Sequence, residues 1–387
     1  MAVSSTVPAL AGSSLGMGVY HTWLNTYRWY GDGSSWSSYM KAAVLTGICQ
    51  MQVMDVPEPK IERGTDVLLK IEKVGVCGSD IHYYETGRIG SQVIEFPFII
   101  GHECAATVKA VGSSVSRVSV GDEVVVDPAV PCHNCDQCKQ GRENTCHNMR
   151  FLGVPGQGGG CLCEYLVMPE ECCFPTHGAI TLEQGVLCEP LSIGVYAAKQ
   201  GHLPDRAKIA VLGVGPIGLS VLLAAKAQKA DRIYVTDKID GRLEAARDNG
   251  AAWTGNPEKV DIVDKIAGIS SALEPLGLDV VCECCGQQEA LDQAFDILKP
   301  GGQLVMVGTP REDRVSFDVD KFRRKELRII YIRRQNHCVQ AAIDLIKSRQ
   351  VSVDFMITHH FPLEETKKAF DLVAGYRDGV IKAMINL

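Results

Sequence analysis

The segment from Lys208 to Gly218 constrains the fold more than any other part of this chain of 387 residues. A short run of β-branched and apolar residues leads into three glycines, Gly213, Gly215 and Gly218, and an apolar helical pattern follows. The first glycine permits a tight turn, the second lets the backbone approach a diphosphate, and the third lets helix and strand pack closely. This setting predicts a dinucleotide-binding βαβ unit rather than an ordinary glycine turn.

An acidic residue, Asp237, ends the next strand pattern, RIYVTD. A carboxylate in this place accepts hydrogen bonds from the adenosine ribose and repels a 2′-phosphate. The diphosphate would lie at the helix N-terminus, where unpaired N–H groups favour an anion. The sequence therefore predicts NAD rather than NADP.

The pattern of secondary structure changes near residue 190. Short strands punctuated by Gly and Pro fill residues 40–190 and predict a β-rich, barrel-like domain. Strands then alternate with helices, which predicts an α/β domain with a doubly wound parallel sheet. The predicted strands are Ile209–Leu212, Ile233–Thr236, Val280–Glu283, Gln303–Val307 and Ile329–Ile332.

Composition narrows the class of protein. A hydrophobic content of 46% with 22% charged residues is typical of globular chains, and a net charge of −7 argues against a nucleic-acid partner. The sequence has no run of about 18 apolar residues, which is the length that a membrane span needs. Sixteen cysteines without a secretory signal favour a reducing cytoplasm, with free thiols and metal ligands.

Residues 1–39 differ from the rest of the chain. They are rich in Ser, Gly, Tyr and Trp, and Arg28 is their single Lys or Arg. The first fifteen residues lack the positive region of a signal peptide. We interpret residues 1–39 as a disordered appendage, a cloning remnant or an over-extended start.

Four cysteines occupy one polar loop. They are Cys132, Cys135, Cys138 and Cys146. Four thiolates so close in sequence can converge on one tetrahedral zinc ion, and a closed set of four ligands predicts a structural site. An iron–sulfur cluster, whose ferredoxin-like spacings differ, and free thiols are the alternatives.

A second set of metal-binding residue types is spread along the chain. Cys77 follows a strand pattern, His102 and Glu103 are adjacent, and Glu189 lies where the β-rich part gives way to the dinucleotide part. Together they offer a sulfur, a nitrogen and one or two carboxylates. Three protein ligands and a water are what a catalytic zinc site requires, so we predict one in a cleft between the domains.

The chain resembles the zinc-dependent medium-chain dehydrogenases in the order and spacing of several motifs. These are the four-cysteine loop and the stretches GVCGSDIHYY, GHE, EPLSIG and GVGPIG. The closest likeness is to the polyol branch of sorbitol, xylitol and arabinitol dehydrogenases, and it covers residues 40–387. It implies a GroES-like catalytic domain at 40–190, a Rossmann NAD-binding domain at 191–331 and a return to the catalytic domain at 332–387. It also implies a homotetramer that oxidises a secondary hydroxyl of a sugar alcohol to the ketose, with one catalytic and one structural zinc per chain.

The resemblance also implies individual roles. Members of the family differ in whether the glutamate beside the histidine (Glu103) or the one in the EP motif (Glu189) binds zinc directly. The implied substrate contacts are Tyr83, Phe151, Glu189 and Arg333. The implied cofactor contacts beyond the glycine turn and Asp237 are Ile217, Arg242, Val307, Gly308, Thr309 and Arg333.

Two features depart from the typical pattern of sorbitol enzymes. The animal enzymes lack most of the four-cysteine set, which this chain keeps. Their Arg-Tyr pair reads Arg333-Arg334 here, so a second cation replaces an aromatic hydroxyl beside the pocket.

Proton transfer can be assigned to the GSDIH segment. Ser79 can accept the proton of a zinc-bound alcohol, and His82, with an ordinary pKa of about 6.5, is the next relay toward solvent. Ser79 could instead cap backbone donors in a turn.

Other functions use the same fold. A threonine 3-dehydrogenase or a butanediol dehydrogenase would share the zinc and the cofactor. A non-catalytic NAD-binding redox sensor would need a broken zinc site, and the complete set of candidate ligands favours an enzyme.

Overall fold

A computed structural model describes residues 38–273, 277–310 and 312–387. The segment interpreted as a leader, residues 1–39, therefore lies outside the described residues except for its last two. Tyr39 already belongs to the first strand, β1. Among the described residues, no helix combines the length and the apolar character needed to cross a membrane.

The amino-terminal part is rich in strands, as predicted. Its strands are β1 (Tyr39–Gly47), β2 (Gln50–Pro57), β3 (Asp66–Gly75), β4 (Arg88–Ile89), β5 (Gln92–Val93), β6 (Glu103–Val111), β7 (Glu123–Val126), β8 (Ala129–Val130), β9 (Arg150–Phe151), β10 (Tyr165–Pro169) and β11 (Cys173–Pro175). The later strands are β12 (Lys208–Leu212), β13 (Arg232–Thr236), β14 (Trp253–Gly255), β15 (Leu278–Glu283), β16 (Leu298–Met306), β17 (Arg328–Tyr331), β18 (Ile357–Pro362) and β19 (Lys382–Asn386).

The α-helices are concentrated in the second half of the chain. They are α1 (Gly78–Thr86), α2 (Asp136–Lys139), α3 (Leu182–Gln200), α4 (Pro216–Ala227), α5 (Asp240–Asp248), α6 (Ile262–Leu273), α7 (Gln288–Ile297), α8 (Val319–Arg324), α9 (Val339–Lys347) and α10 (Thr366–Ala374).

One mixed sheet of seven strands forms the core of the strand-rich part. Its order is β11-β7-β6-β3-β19-β18, with β10 also paired to β3. The pairing of β19 with β3 joins the end of the chain to the amino-terminal sheet, because Met384 lies opposite Gly75.

The second sheet is the doubly wound parallel sheet that the sequence predicted. Its order is β14-β13-β12-β15-β16-β17, and every pairing is parallel. The chain reverses direction across the sheet between β12 and β15, so a crevice opens at their carboxyl ends. All five predicted strands are confirmed, and the largest difference is at β16, which begins at Leu298 rather than Gln303.

Helix α3 connects the two sheets. It begins with a capping box in which the Thr181 hydroxyl accepts from the Gln184 backbone and the Gln184 side chain accepts from the Thr181 backbone. Leu187 of this helix shares one apolar core with Val125 of β7 and Val211 of β12. The predicted domain limits at residues 190 and 331 stay predictions, and the first falls inside α3.

Candidate active site

Three of the predicted metal ligands converge. Cys77 precedes α1, Glu103 is the first residue of β6, and His102 directly precedes it. Antiparallel pairing sets Gly75 of β3 opposite Glu103, which brings the two segments together. The ligand atoms of Cys77, His102 and Glu103 lie within 4.8 Å of one another, and a thiol, an imidazole and a carboxylate are a donor set that zinc accepts.

Asp80 holds the imidazole of His102 in position. Its Oδ1 lies 3.3 Å from His102 Nδ1 and 3.3 Å from the backbone nitrogen of Gly101. A carboxylate at one ring nitrogen leaves the other nitrogen to face a metal, as in carboxylate–histidine–zinc sites.

Glu103 is paired with a lysine that sequence reasoning missed. Lys382 of β19 is 1% exposed, and its Nζ lies 2.8 and 2.6 Å from the two carboxylate oxygens of Glu103. It also donates to the carbonyl of Val76 at 3.1 Å. No local pattern marks Lys382, because its role depends on the pairing of β19 with β3.

Glu189 lies in α3 and is 5% exposed, but it is not one of the three convergent ligands. Its Oε2 is buried without a hydrogen-bond partner. Burial raises the pKa of Glu189 to about 7, and the nearby charge of His102 opposes that rise. An uncompensated buried oxygen of this kind fits a polar group that is supplied by a ligand.

The predicted proton-relay and substrate residues on α1 lie beside the metal ligands. Ser79 Oγ donates to Cys77 Sγ at 3.3 Å. His82 follows three residues later and is half-buried. Tyr83 is buried and donates to Gln92 Oε1 at 3.3 Å, and burial raises the pKa of Tyr83 to about 12.

The predicted pocket aromatic, Phe151, also lies at this site. Its ring centroid is 5.5 Å from that of His102. The guanidinium of Arg334 also stacks on Phe151, with its central carbon 3.6 Å from the centroid of the Phe151 ring. The Arg333 side chain is exposed, and its carbonyl accepts from Asn144 Nδ2 at 3.0 Å.

The four cysteines of the loop lie together, with all four sulfur positions within 4.8 Å of one another. Cys135 Sγ lies 3.5 Å from Cys138 Sγ and 3.9 Å from Cys146 Sγ. Sulfurs held about 2.3 Å from one tetrahedral ion are about 3.8 Å apart, so the set fits zinc. Hydrogen bonds from the backbone of Asn134 and Cys135 lower the pKa of the Cys132 thiol to about 6, whereas burial raises the pKa of the Cys138 thiol to about 12.

The glycine turn of the predicted dinucleotide site lies between β12 and α4. Gly213 has φ 88°, which glycine adopts without strain. A Cβ on Gly218 would overlap the carbonyl oxygen of Gly213, so only glycine allows this closure. Gly215 is the N-cap of α4, with Pro216 following, which leaves the first helical N–H groups free for an anion.

Asp237 and Arg242 flank this turn. Asp237 Oδ2 accepts from the Val214 backbone at 2.8 Å, and Oδ1 accepts from the Ile239 backbone at 2.8 Å. Arg242 Nη1 is 3.5 Å from where a Gly215 Cβ would be, and Arg242 Nε is buried without a partner.

Other predicted cofactor residues lie along the same edge of the parallel sheet. Val307, Gly308 and Thr309 follow β16 and are partly or fully exposed, and Ile217 is half-buried in the first turn of α4. Glu283, at the end of β15, accepts from the backbone of Val307 through its carbonyl at 2.8 Å and was not singled out by sequence.

Comparison with family models divides the chain into two recognised parts. Residues 63–178 match the alcohol dehydrogenase GroES-like domain, and residues 216–348 match the zinc-binding dehydrogenase domain.

Individual proteins resemble the chain over nearly its whole length. A sorbitol dehydrogenase from Bacillus subtilis (strain 168) is 37% identical over 89% of this chain and 97% of that protein. An L-idonate 5-dehydrogenase from Vitis vinifera is 32% identical over 89% of this chain and 94% of that protein. The crystal structure of a putative zinc-binding dehydrogenase from Sinorhizobium meliloti 1021, bound to NADP, is 28% identical with a TM-score of 0.82 and covers 91% of this chain and 100% of that one.

Proposed function

The chain belongs to the zinc-binding, GroES-like alcohol dehydrogenase family, in its polyol branch, and from this premise we propose that it oxidises a secondary hydroxyl of a polyol to a ketone and passes the hydride to a nicotinamide dinucleotide. The observation that carries the proposal is the convergence of Cys77, His102 and Glu103 within 4.8 Å. The glycine turn between β12 and α4, which can hold a diphosphate, supports the same proposal from the part of the chain with the parallel sheet.

Cys77, His102 and Glu103 would hold the catalytic zinc, and Glu189 would accept a hydrogen bond from the hydroxyl or water at the open position. A zinc ion at such a site acts as a Lewis acid that lowers the pKa of a bound hydroxyl. The short distances favour Glu103 as the direct ligand, and the unpartnered Oε2 supports the role of Glu189. Lys382 fixes the Glu103 carboxylate by donating to both of its oxygens.

Ser79 Oγ would take the hydroxyl proton and pass it to His82. Ser79 contacts Cys77 Sγ, so it lies within reach of a group bound beside that ligand. Residues three apart on a helix lie on one face, which supports transfer from Ser79 to His82. Tyr83 and Phe151 would line the polyol side of the cleft, and Arg333 would extend to the cofactor.

The dinucleotide would lie along the carboxyl edge of the parallel sheet, with its diphosphate at Gly213, Gly215 and Gly218. We propose NAD, because the Asp237 carboxylate beside the turn would repel a 2′-phosphate. The free lone pairs of Asp237 would accept the ribose hydroxyls, and Ile217, Arg242 and the 307–309 segment would contact the rest of the molecule.

The state of the cysteines supports a cytoplasmic location of the protein. All sixteen cysteines are free, and two groups of metal-binding type contain thiols, which suits the reducing cytoplasm.

Strand β17 ends the parallel sheet and carries Tyr331, which is 57% exposed. An open edge of this kind supports pairing between subunits in a homotetramer.

The test is NADH formation across xylitol, sorbitol, arabinitol, galactitol, threonine and butanediol, with and without a strong chelator. We expect chelator-sensitive oxidation of one or more polyols. Cys77→Ser should abolish turnover while NADH binding persists, whereas Cys49→Ser, at an exposed cysteine, should leave the rate unchanged. Oxidation confined to threonine or butanediol, or full activity of Cys77→Ser, would contradict the proposal.

A further inference from the structure

A half-buried arginine beside the candidate metal ligands narrows the class of polyol. Arg334 stacks on Phe151, which in turn lies against the imidazole of His102, so one aromatic ring separates the guanidinium from a candidate metal ligand. We propose that Arg334 binds a carboxylate on the substrate, so that the preferred substrate is an acidic polyol such as an aldonate. This inference rests on the proposed polyol oxidation and specifies its substrate.

The guanidinium has an unmet hydrogen-bonding capacity. Its Nη1 is buried and has no hydrogen-bond partner. Burial lowers the pKa of Arg334 to about 10, which still leaves it charged at neutral pH. A buried donor on a charged group is costly when it is unpaired, so a ligand that pairs with it gains correspondingly.

The surrounding loop fixes the position of this cation. Arg334 has φ 55°, a left-handed conformation that is strained for a residue with a long side chain. Neighbouring contacts hold the backbone in it. Gln335 Nε2 donates to Asp127 Oδ2 at 2.9 Å, and Asn336 Nδ2 donates to the Gly141 carbonyl at 2.8 Å. The guanidinium is therefore preorganised, which is how a site reduces the entropy lost on binding.

The partner is a group on the substrate rather than on the cofactor. The cofactor diphosphate belongs at the glycine turn before α4, whereas Arg334 lies against Phe151 and near Tyr83 and Glu189. A neutral hydroxyl could accept from Nη1, but a hydrogen bond between charged groups is the stronger one.

A carboxylate suits this place better than a phosphate. The planar guanidinium matches a carboxylate in shape. The charges of Glu189 and Asp127 already act on Arg334, and the two acids would repel a phosphate dianion more than a monoanion. Arg334 is, besides, half-buried with one face covered by Phe151, so few of its donors remain for a group with three oxygens.

The experiment compares acidic, neutral and phosphorylated polyols on the zinc-loaded enzyme. Matched pairs are gluconate with sorbitol, galactonate with galactitol and xylonate with xylitol, and sorbitol 6-phosphate is the phosphate probe. We expect kcat/KM to be at least about tenfold higher for an aldonate than for its neutral partner. Calorimetry of the same aldonates on the enzyme–NADH complex measures binding without turnover.

Substitution of the arginine assigns the effect to its charge. Arg334→Gln should raise the KM and Kd for the aldonate about 10- to 100-fold, because a charge-assisted hydrogen bond is lost. The KM for neutral polyols should change by less than about threefold. Arg334→Lys should recover part of the aldonate affinity. The control is Arg349→Gln, which removes an exposed arginine whose backbone is also left-handed (φ 58°) and should change nothing.

Four results would decide against the inference. Oxidation of neutral polyols without oxidation or binding of aldonates would overturn it and leave the polyol function standing. Preference for sorbitol 6-phosphate would overturn the carboxylate assignment. Equal losses on acidic and neutral substrates in Arg334→Gln would give the arginine a structural role only. If no polyol is oxidised, the proposed function fails, and absent aldonate binding to the enzyme–NADH complex would overturn the inference as well.

Discussion

At the scale of single residues, the candidate site depends on how each buried charge is compensated. The Glu103 carboxylate is matched by Lys382, and His102 is matched by Asp80. Glu189 and Arg334 each retain a buried polar atom without a partner. Buried polar groups are normally paired, so these two unpartnered atoms fit a ligand that completes the site.

Glu189 gives a prediction for the pH dependence of stability in the metal-free protein. Burial raises its pKa from the ordinary 4.5 to about 7. Between those values the folded protein keeps a proton that the unfolded chain has released, so the free energy of unfolding falls as pH rises through the window. The fall amounts to about 3 kcal/mol.

Glu189→Gln should remove this dependence. Urea unfolding of chelator-treated protein at pH 5 and pH 7.5 measures most of it, and the wild type should lose about 2 kcal/mol more than the variant over that interval. Parallel pH dependences of the two proteins would show that Glu189 ionises normally.

At the scale of elements, the turn between β12 and α4 and the four-cysteine loop perform separate tasks. The turn brings free N–H groups at the start of α4 to the carboxyl edge of the sheet. The loop supports the segment after β17, because His337 Nε2 lies 2.9 Å from Glu143 Oε2 and Asn144 binds the Arg333 carbonyl. A structural zinc in the loop would thus stabilise the segment that carries Arg334.

Gly218→Ala should prevent the glycine turn between β12 and α4 from adopting its closed conformation. The added methyl would overlap the Gly213 carbonyl, so we expect NADH affinity to fall at least about tenfold and the melting temperature to drop. Gly241→Ala in the first turn of α5 is the matched control, because its Cβ would meet no atom within 4 Å. Fluorescence titration with NADH measures the difference, and wild-type affinity in Gly218→Ala would refute the proposed diphosphate position.

Cys135→Ser should remove one zinc ion per chain. The loss of a thiolate from a closed four-sulfur site lowers metal affinity and hence folded stability. Because the loop supports the Arg334 segment, we also expect a higher KM at nearly unchanged kcat. Metal content by mass spectrometry and melting temperature are the measurements. If the variant keeps two zinc ions per chain at wild-type stability, the structural-zinc assignment is wrong.

At the scale of the whole molecule, the active site is assembled from elements distant in sequence. Cys77 lies between β3 and α1, His102 directly precedes β6, Glu189 belongs to α3 and Lys382 to β19. Helix α3 shares apolar packing with both sheets, so it fixes the catalytic sheet against the cofactor sheet. Strand β17 lies at the end of the parallel sheet, and its outer edge is where we propose that subunits pair.

Tyr331→Lys should disrupt assembly. In edge-to-edge pairing each subunit would bring the new charge to the shared strand edge, and like charges on paired strands repel. Light scattering after size exclusion should show a species smaller than the tetramer. Val120→Lys, at a residue that is 63% exposed, should leave the mass unchanged. A monomeric wild type, or a tetrameric Tyr331→Lys, would contradict the proposed edge contact.

Features that depend on local spacing could be predicted from the amino-acid sequence. The glycine turn, its flanking strands and the four-cysteine loop each lie within a short stretch, so pattern and turn chemistry predict them. The convergence of Cys77 with His102 and Glu103 was predicted from the motif order, and the structure brings the three together. Only the tertiary structure decided that Lys382 neutralises Glu103 and that Arg334 is the arginine stacked on Phe151. These contacts follow from the β19–β3 pairing and from the loop held by Asp127 and Gly141, and partners hundreds of residues apart leave no local signal in the chain.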